Sequence, residues 1–489
     1  MSERYLLVLD EGTTSTRAML FDADGVSHAS AQAGLNQHYP ADGWVEHDPG
    51  EIWEKTLDCA RQMVERAGGA DCISAIGITN QRETVVAWDR VSGEPLARAI
   101  VWQDRRTSGF CAQLKQAGLE QHVQDRTGLL LDPYFSATKM RWLLDNQPEV
   151  AAAARDGRLA FGTVESWLVF KLTGGAKHIS DASNASRTLL MSLDQTGWDT
   201  ELCDLFGIGP HHLPEITDMH GLFGETALFG SPIPICGLAG DQQAAMIGQA
   251  CLLPGQVKAT YGTGAFILTN MGQTIPRSDN RLLGTVLLQE GGKRTYALEG
   301  SVFVAGSLIQ WMRDKMGLLQ SSAESEVLAR SVEDNGGVVI VPALTGLGAP
   351  YWQPDARGVI TGLSFAATRA HLARAALEAM AHQTQDLAAA FRADGAEWKD
   401  MRIDGGMVAN SWMAQDIADL TGLDVYRPEF RETTSLGAAM LAAVGAGMFA
   451  TLHDAAQAMS GRGETFRPRM SADIRDRRLS SWEKALKAV

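Results

Sequence analysis

The chain has 489 residues, 45% of them apolar and 21% charged, with a net charge of −15. At roughly 100–200 residues per domain this length allows two to four domains, and so large an apolar share excludes a disordered chain. The acidic balance excludes a broad nucleic-acid-binding face, so any phosphate must be held locally by backbone N–H groups, a metal and a few Arg or Lys.

In chain order, Tyr5–Leu9 is a short continuous apolar run and reads as a buried strand. It is too short for a signal peptide, and no later stretch reaches ~18 consecutive apolar residues, so a cytoplasmic protein without membrane insertion is expected. A turn at Asp10–Thr14 leads to a second strand at Ala18–Phe21, making a hairpin with an acid, a glycine and hydroxyls at its tip. Asp48-Pro-Gly-Glu51 reads as a helix start, with Asp48 as N-cap and Glu51 as the return arm of a capping box; Gly68-Gly69 ends that helix. Ile73–Ile78 is strand-like and delivers Thr79-Asn-Gln-Arg-Glu83 at its C-terminal end, and Thr84–Asp89 reads as one more strand. Thr138–Asn146 and Val164–Leu172 look helical, Leu222–Ser231 is a Gly-rich connection, and the apolar run Pro234–Gly240 ends at Asp241 before a helix at Gln243–Gln249. At Lys258–Thr269 two strand-like runs again flank a Gly-Thr-Gly turn, and Met401–Gly406 echoes the strand ending at Asn80. Two echoes in the same order suggest a duplicated α/β domain, divided into residues 1–250 and 251–489. Six cysteines without a CxxC spacing read as reduced, mostly buried thiols.

Five constellations carry possible chemistry. Asp10-x-Gly-Thr-Thr offers a glycine for close backbone approach, hydroxyls for phosphate oxygens and an acid for Mg²⁺; an acidic hairpin tip is the plain alternative. Tyr261-Gly-Thr-Gly264 is a second such turn, and Asp404-Gly-Gly-Met-Val-Ala-Asn410 joins a strand to a helix through two glycines that can let a flat adenine or ribose lie against backbone; a tight strand–helix turn is the plain alternative. Asp241, between Gly240 and Gln242, suits a general base or a helix N-cap. Asn80-Gln-Arg-Glu83 and Trp102-Gln-Asp-Arg-Arg106 offer donors, acceptors and an aromatic wall for a polyhydroxyl ligand, or else surface ion pairs.

Taken together and in this order, these strings resemble the FGGY carbohydrate kinases of the actin-like ATPase superfamily. Two long family patterns support the resemblance, Tyr134–Trp142 and Gly358–Leu363 continuing to His371–Glu378. The resemblance implies two duplicated actin-like (ribonuclease H-like) domains flanking a central cleft, the first bearing the glycerol site and phosphate loop, the second the nucleotide site. It implies ATP and Mg²⁺ as cofactors, glycerol as acceptor, no nucleic-acid partner, and a homodimer or homotetramer. Within the family, Thr79–Glu83, Trp102-Gln103, Asp132–Tyr134 and Gly240–Gln243 resemble the glycerol-phosphorylating members rather than those acting on xylulose or gluconate.

Carried over by position, Arg82, Glu83, Tyr134, Asp241 and Gln242 would hold the glycerol hydroxyls, with Trp102 and Phe266 as apolar wall. Thr13, Thr14, Ser15, Arg17 and Thr263 would face the phosphates; Gly306, Gln310, Gly406 and Asn410 would line the rest of the nucleotide site; Asp10 would hold the metal and Asp241 act as general base. Glu11 departs from the family, which more often has Gln there, and a second carboxylate beside Asp10 is expected to alter the charge near the metal. The segment Leu228–Pro234 lacks the Arg found in members inhibited by fructose 1,6-bisphosphate. A pentulose or tetritol kinase, or an actin-like assembly ATPase with no small-molecule acceptor, are the competing readings; the latter has no need of Arg82, Glu83 and Asp241.

Overall fold

A computed structural model describes residues 4–353 and 355–489. The first apolar run lies in strand β1 (Tyr5–Glu11). Its lack of polar alternation has a direct cause, since both faces of the strand are covered. Leu7 and Leu9 enter one cluster with Ile52, Met63 and Trp167, whereas Leu6 and Val8 enter another with Met440 and Leu441. β1 pairs antiparallel with β2 (Ser15–Phe21), and β2 with β3 (Ser27–Gly34). On its other side β1 runs parallel to β4 (Ile73–Asn80), which runs parallel to β6 (Ile233–Gly240); β5 (His220–Thr226) closes that edge antiparallel.

The second sheet is built from β7 (Gln256–Tyr261), β8 (Ala265–Gly272), β9 (Leu283–Glu290), β10 (Lys293–Val302), β11 (Asp400–Asp404), β12 (Val425–Pro428) and β13 (Gly463–Phe466), in the order β9-β10-β8-β7-β11-β12-β13. Read along β3-β2-β1-β4-β6-β5, the first sheet pairs antiparallel, antiparallel, parallel, parallel, antiparallel. The series β10-β8-β7-β11-β12-β13 has the same orientations, with β9 added at the edge. The two sequence echoes are therefore the matching hairpins β1–β2 and β7–β8 and the matching parallel neighbours β4 and β11.

Helix α1 (Pro49–Ala67) covers one face of the first sheet; Asp48 caps it, accepting from the N–H groups of Gly50 and Glu51. Glu51 does not complete a capping box, because its carboxylate is engaged by Asn36 and Lys55. The other face is covered by α7 (Thr433–Gly445), a helix late in the chain that packs on α3 (Asp241–Gly248) and on β1, β4 and β6. Two expectations need correction. Leu222–Ser231 is not all connection, since its first part belongs to edge strand β5, which pairs with β6 through Gly224–Thr226 after an irregularity that Gly221 (φ 143°) and Gly224 (φ 149°) accommodate. The strand expected at Thr84–Asp89 is confined to Val86–Asp89 and pairs with Leu159–Gly162, outside both large sheets.

Candidate active site

β4 and β6 end side by side, with Gly240 in register with Asn80. Their C-terminal ends deliver Arg82 and Glu83 from one strand and Asp241 from the other, the place where open α/β sheets expose ligand-binding groups. Arg82 and Glu83 are buried. Glu83 adopts φ 63°, a conformation that costs a non-glycine residue on the order of 1–3 kcal/mol and recurs at ligand sites. Asp241 Oδ1 lies 3.2 Å from Arg82 Nε, and the Asp241 side chain is 34% exposed against 2% for Arg82. Asp241 is the first residue of α3, while Gly240 is the N-cap and provides no side-chain bond. The capping alternative therefore fails, and Asp241 is the acid of this cluster that opens outward.

The aromatic residues come together in part. Trp102 and Tyr134 meet edge to face at 5.6 Å, and Trp102 Nε1 donates to Thr13 Oγ1 at 2.9 Å, tying the wall to the hairpin loop. Phe266 is half-buried beside Met246, Cys251 and Leu268, and among the described residues it makes no ring contact with Trp102. Gln242 Oε1 accepts from the fully buried Lys258, which fixes the amide and leaves its N–H₂ to donate. Lys139, from the family pattern around Tyr134, is also fully buried; its Nζ donates to the carbonyls of Pro133 at 3.1 Å, Tyr134 at 2.5 Å and Phe135 at 2.9 Å, holding the loop that carries the Tyr134 ring.

The strand period of two separates the neighbouring acids at the hairpin tip. Asp10 follows Leu6 and Val8 and faces α7, where Ser435 Oγ donates to it at 2.6 Å. Burial pushes the Asp10 carboxyl up, against the opposing pull of Ser435 and Arg17, and Asp241 is near enough to push it further. Glu11 follows Leu7 and Leu9 and faces α1, where Thr56 Oγ1 donates to it at 2.6 Å and Thr16 donates to the same oxygen. Glu11 therefore lies on the opposite face of the sheet from Asp10 and shares none of its hydrogen-bond partners, although the two carboxylates still repel one another. Beyond the tip, Thr14 is exposed, Ser15 Oγ accepts from Gln32 and Arg17 pairs with Glu432.

In the second sheet, the turn between β7 and β8 is stitched to α4 (Gly306–Asp314). Gly306 N donates to Gly262 O at 2.9 Å, and Ser307 Oγ to Thr263 O at 2.9 Å, leaving the Thr263 side chain exposed. Gln310 stands exposed one turn along the helix. Gly405 (φ 93°) abuts this turn so closely that a Cβ would lie 2.5 Å from Tyr261 O, whereas Gly406 faces open space. Asn410 caps α6 (Ser411–Thr421), accepting from Met413 N at 2.9 Å. Among the described residues no group of three or more His, Cys, Asp or Glu is placed to hold a metal. A single acid such as Asp10 fits Mg²⁺, which keeps waters and takes phosphate oxygens in preference to an all-protein cage.

Two residues of the cluster were missed by sequence reasoning. Glu299 on β10 is fully buried and accepts from Arg82 Nη1 at 2.7 Å, from Arg82 Nη2 at 3.2 Å and from Arg187 Nη2 at 3.0 Å. Arg187 also donates from Nε to Glu83 Oε1 at 2.6 Å and lies over the Tyr134 ring at 5.6 Å. Burial pushes the Glu299 carboxyl up, but Arg187 and Arg82 outweigh it and hold the group at about 2. Burial wins at Glu83, whose carboxyl is raised despite the same two arginines.

The family model for the N-terminal domain of FGGY carbohydrate kinases matches residues 5–248, and that for the C-terminal domain matches residues 257–446. The chain belongs to the FGGY family of carbohydrate kinases. It is 53% identical to a glycerol kinase of Rhodospirillum rubrum over 489 residues, spanning 99% of each chain. It is 52% identical to a glycerol kinase of Methylobacterium nodulans, over 99% of this chain and 97% of that one. The crystal structure of Plasmodium falciparum glycerol kinase with ADP superposes with a TM-score of 0.94 at 35% identity, covering 99% of this chain and 98% of that one.

For this FGGY kinase, the placement of Glu11 makes two measurable forecasts. Glu11→Gln changes kcat/KM by at most about tenfold, roughly 1.4 kcal/mol, because the side chain faces away from the cleft. Burial pushes the Glu11 carboxyl to about 7 from 4.5, and its Oε2 has no hydrogen-bond partner. The folded state therefore binds this proton more tightly than the unfolded state. The associated stability is fully present below about pH 4.5 and is lost as pH rises through about 7, on the order of 3 kcal/mol. The Gln variant carries no such loss, so its melting temperature relative to wild type rises between about pH 5 and 8. Paired melting curves test this, and a difference that stays flat with pH rejects it.

Proposed function

We propose that this chain transfers the γ-phosphoryl group of ATP to a terminal hydroxyl of glycerol, giving sn-glycerol 3-phosphate for glycerol catabolism. The observation that carries the reading is Asp241, held 3.2 Å from buried Arg82, part-exposed, and close enough to half-buried Asp10 for the two charges to interact. Its Oδ1 is occupied by Arg82 and by Gln242 N at 2.7 Å, which leaves Oδ2 to accept the proton of the attacking hydroxyl. Arg82 and Glu83 hold acceptor hydroxyls with the Gln242 amide and Tyr134, while Trp102 and Phe266 face its carbons. Thr13, Thr14, Ser15, Arg17 and Thr263 bind the phosphates; Gly306, Gln310, Gly406 and Asn410 line the nucleoside side. Mg²⁺, when bound by Asp10 together with the nucleotide, neutralises charge on the phosphoryl oxygens. Phosphoryl transfer needs mainly positioning and electrostatics, which paired charges on two facing halves supply.

Residues 1–250 in this reading carry the acceptor and the phosphate loop, and residues 251–489 the nucleotide site. The six cysteines are all unpaired, which supports a reducing, cytoplasmic setting, and no helix among the described residues is long and apolar enough to cross a membrane. A homodimer or homotetramer belongs to the same reading, and light scattering would measure it.

ADP release measured with glycerol, dihydroxyacetone, erythritol and xylulose tests the acceptor. Glycerol is expected to give the highest kcat/KM, because a longer chain sets extra hydroxyls against the Trp102 and Phe266 rings, each unmet hydrogen bond costing roughly 1–3 kcal/mol. Xylulose turned over as efficiently as glycerol would overturn the assignment.

A further inference from the structure

Arg82 has five N–H hydrogens, and the structure accounts for most of them. Both on Nη1 are taken, by Glu299 Oε2 at 2.7 Å and Gln243 Oε1 at 3.3 Å. One on Nη2 goes to Glu299 Oε1 at 3.2 Å, and Nε faces Asp241. A single Nη2 hydrogen is left for an acceptor hydroxyl, and its direction is set by the plane that the Glu299 carboxylate imposes. The same carboxylate holds Arg187, which in turn holds Glu83 and stacks over Tyr134. Three groups assigned to the acceptor thus depend on one carboxylate that does not belong to the strands carrying them.

We infer that Glu299 is a positioning residue of the acceptor site: it fixes the guanidinium of Arg82 directly and the carboxylate of Glu83 through Arg187, and so sets affinity for the polyol without touching it. The inference rests on the proposed glycerol site. Glu299 sits on β10, in the half of the chain assigned to the nucleotide, while Arg82, Glu83 and Arg187 come from the other half. The joint between the halves is firm here, since Ser186 Oγ and Thr285 Oγ1 lie 2.9 Å apart and Gln243 donates to Thr285 Oγ1 and Val286 O, both at 3.1 Å. The acceptor site is therefore built at a fixed seam, and its arginines are set by a strand of the second sheet. Charge balance requires the carboxylate: two buried guanidinium groups face Glu83 and Glu299, and removing either charge leaves its partner buried and unpaired.

Glu299→Gln keeps the shape and removes the charge; Arg187→Lys keeps the charge and removes the fork that spans Glu83 and Glu299. In both variants KM for glycerol is expected to rise about tenfold or more while KM for ATP stays within about twofold. In parallel, the thermal shift produced by glycerol is expected to be lost and that produced by ADP kept. A merely structural role would lower the melting temperature and leave both KM values in place. That result in a folded variant overturns the proposal, as does a KM for ATP that rises as much as that for glycerol. Failure of both variants to fold would assign Glu299 to folding and also overturn it. Wild-type protein that does not phosphorylate glycerol would instead reject the acceptor assignment itself.

Discussion

Asp241→Asn is expected to lower kcat for glycerol phosphorylation by about 10²-fold while the protein still folds and binds ATP. Asn has the size of Asp and keeps an oxygen for Gln242 N, and the N-cap of α3 is Gly240, so the helix loses nothing at its start. Arg82 is held elsewhere by Glu299 and Gln243 and does not collapse into the gap. What disappears is the proton acceptor and a negative charge next to the attacking hydroxyl. General-base catalysis is worth about 10²–10⁴-fold, and a largely dissociative transition state with late proton removal places the loss at the lower end. KM for glycerol should rise as well, since Asp241 is a proposed hydrogen-bond partner. Circular dichroism and ATP titration serve as controls. A kcat within about threefold of wild type removes Asp241 from the mechanism.

Much of this site was legible because its parts stand at strand ends. Arg82, Glu83 and Asp241 each follow an apolar run that reads as a buried strand, and the two Gly-Thr turns announced the hairpins β1–β2 and β7–β8. The duplicated sheet topology was legible for the same reason, since its parallel strands, covered on both faces, leave continuous apolar runs. Glu299 and Arg187 were not legible as functional. Each is a lone charge in an otherwise buried stretch, Tyr296–Val302 and Ala182–Leu190, and no spacing links them to each other or to residue 82. A carboxylate inside an apolar strand was the available signal, because such a group is almost never fully buried unless paired. Glu11 stands beside Asp10 in sequence, but the strand sends the two side chains to opposite faces, so they interact through charge and not through shared partners. The edge strand β5 was missed because glycine-rich His220–Thr226 has no intrinsic strand preference and is extended by pairing with β6.

Gly437→Ala is expected to cost on the order of 3 kcal/mol or more of stability and to depress activity with it. Helices α3 and α7 cross glycine against glycine. A Cβ on Gly437 would stand 1.8 Å from Ala244 O, 2.7 Å from the carbonyl carbon and 2.9 Å from Gly248 N. All three are backbone atoms, so no side chain can rotate away, and the helices must part. The helix preference of Ala over Gly returns only about 1 kcal/mol. The crossing matters for the site because α3 begins at Asp241 and α7 places Ser435 on Asp10. Parting the helices therefore changes the spacing between the proposed base and the proposed metal-binding acid, and a misplacement of about 1 Å at reacting groups can cost about 10²-fold in rate. Gly109→Ala is the matched control, since Gly109 lies in the exposed helix Ser108–Gln116 with nothing within 4 Å of its Cβ position. That change should be neutral or stabilising by about 0.5–1 kcal/mol. At about 2–4 °C per kcal/mol for domains of this size, scanning fluorimetry should show the Gly437 variant melting roughly 6–12 °C below wild type. Equal melting temperatures and kcat for the two variants would mean that α3 and α7 separate freely, and that the distance between Asp10 and Asp241 is set by the strands alone.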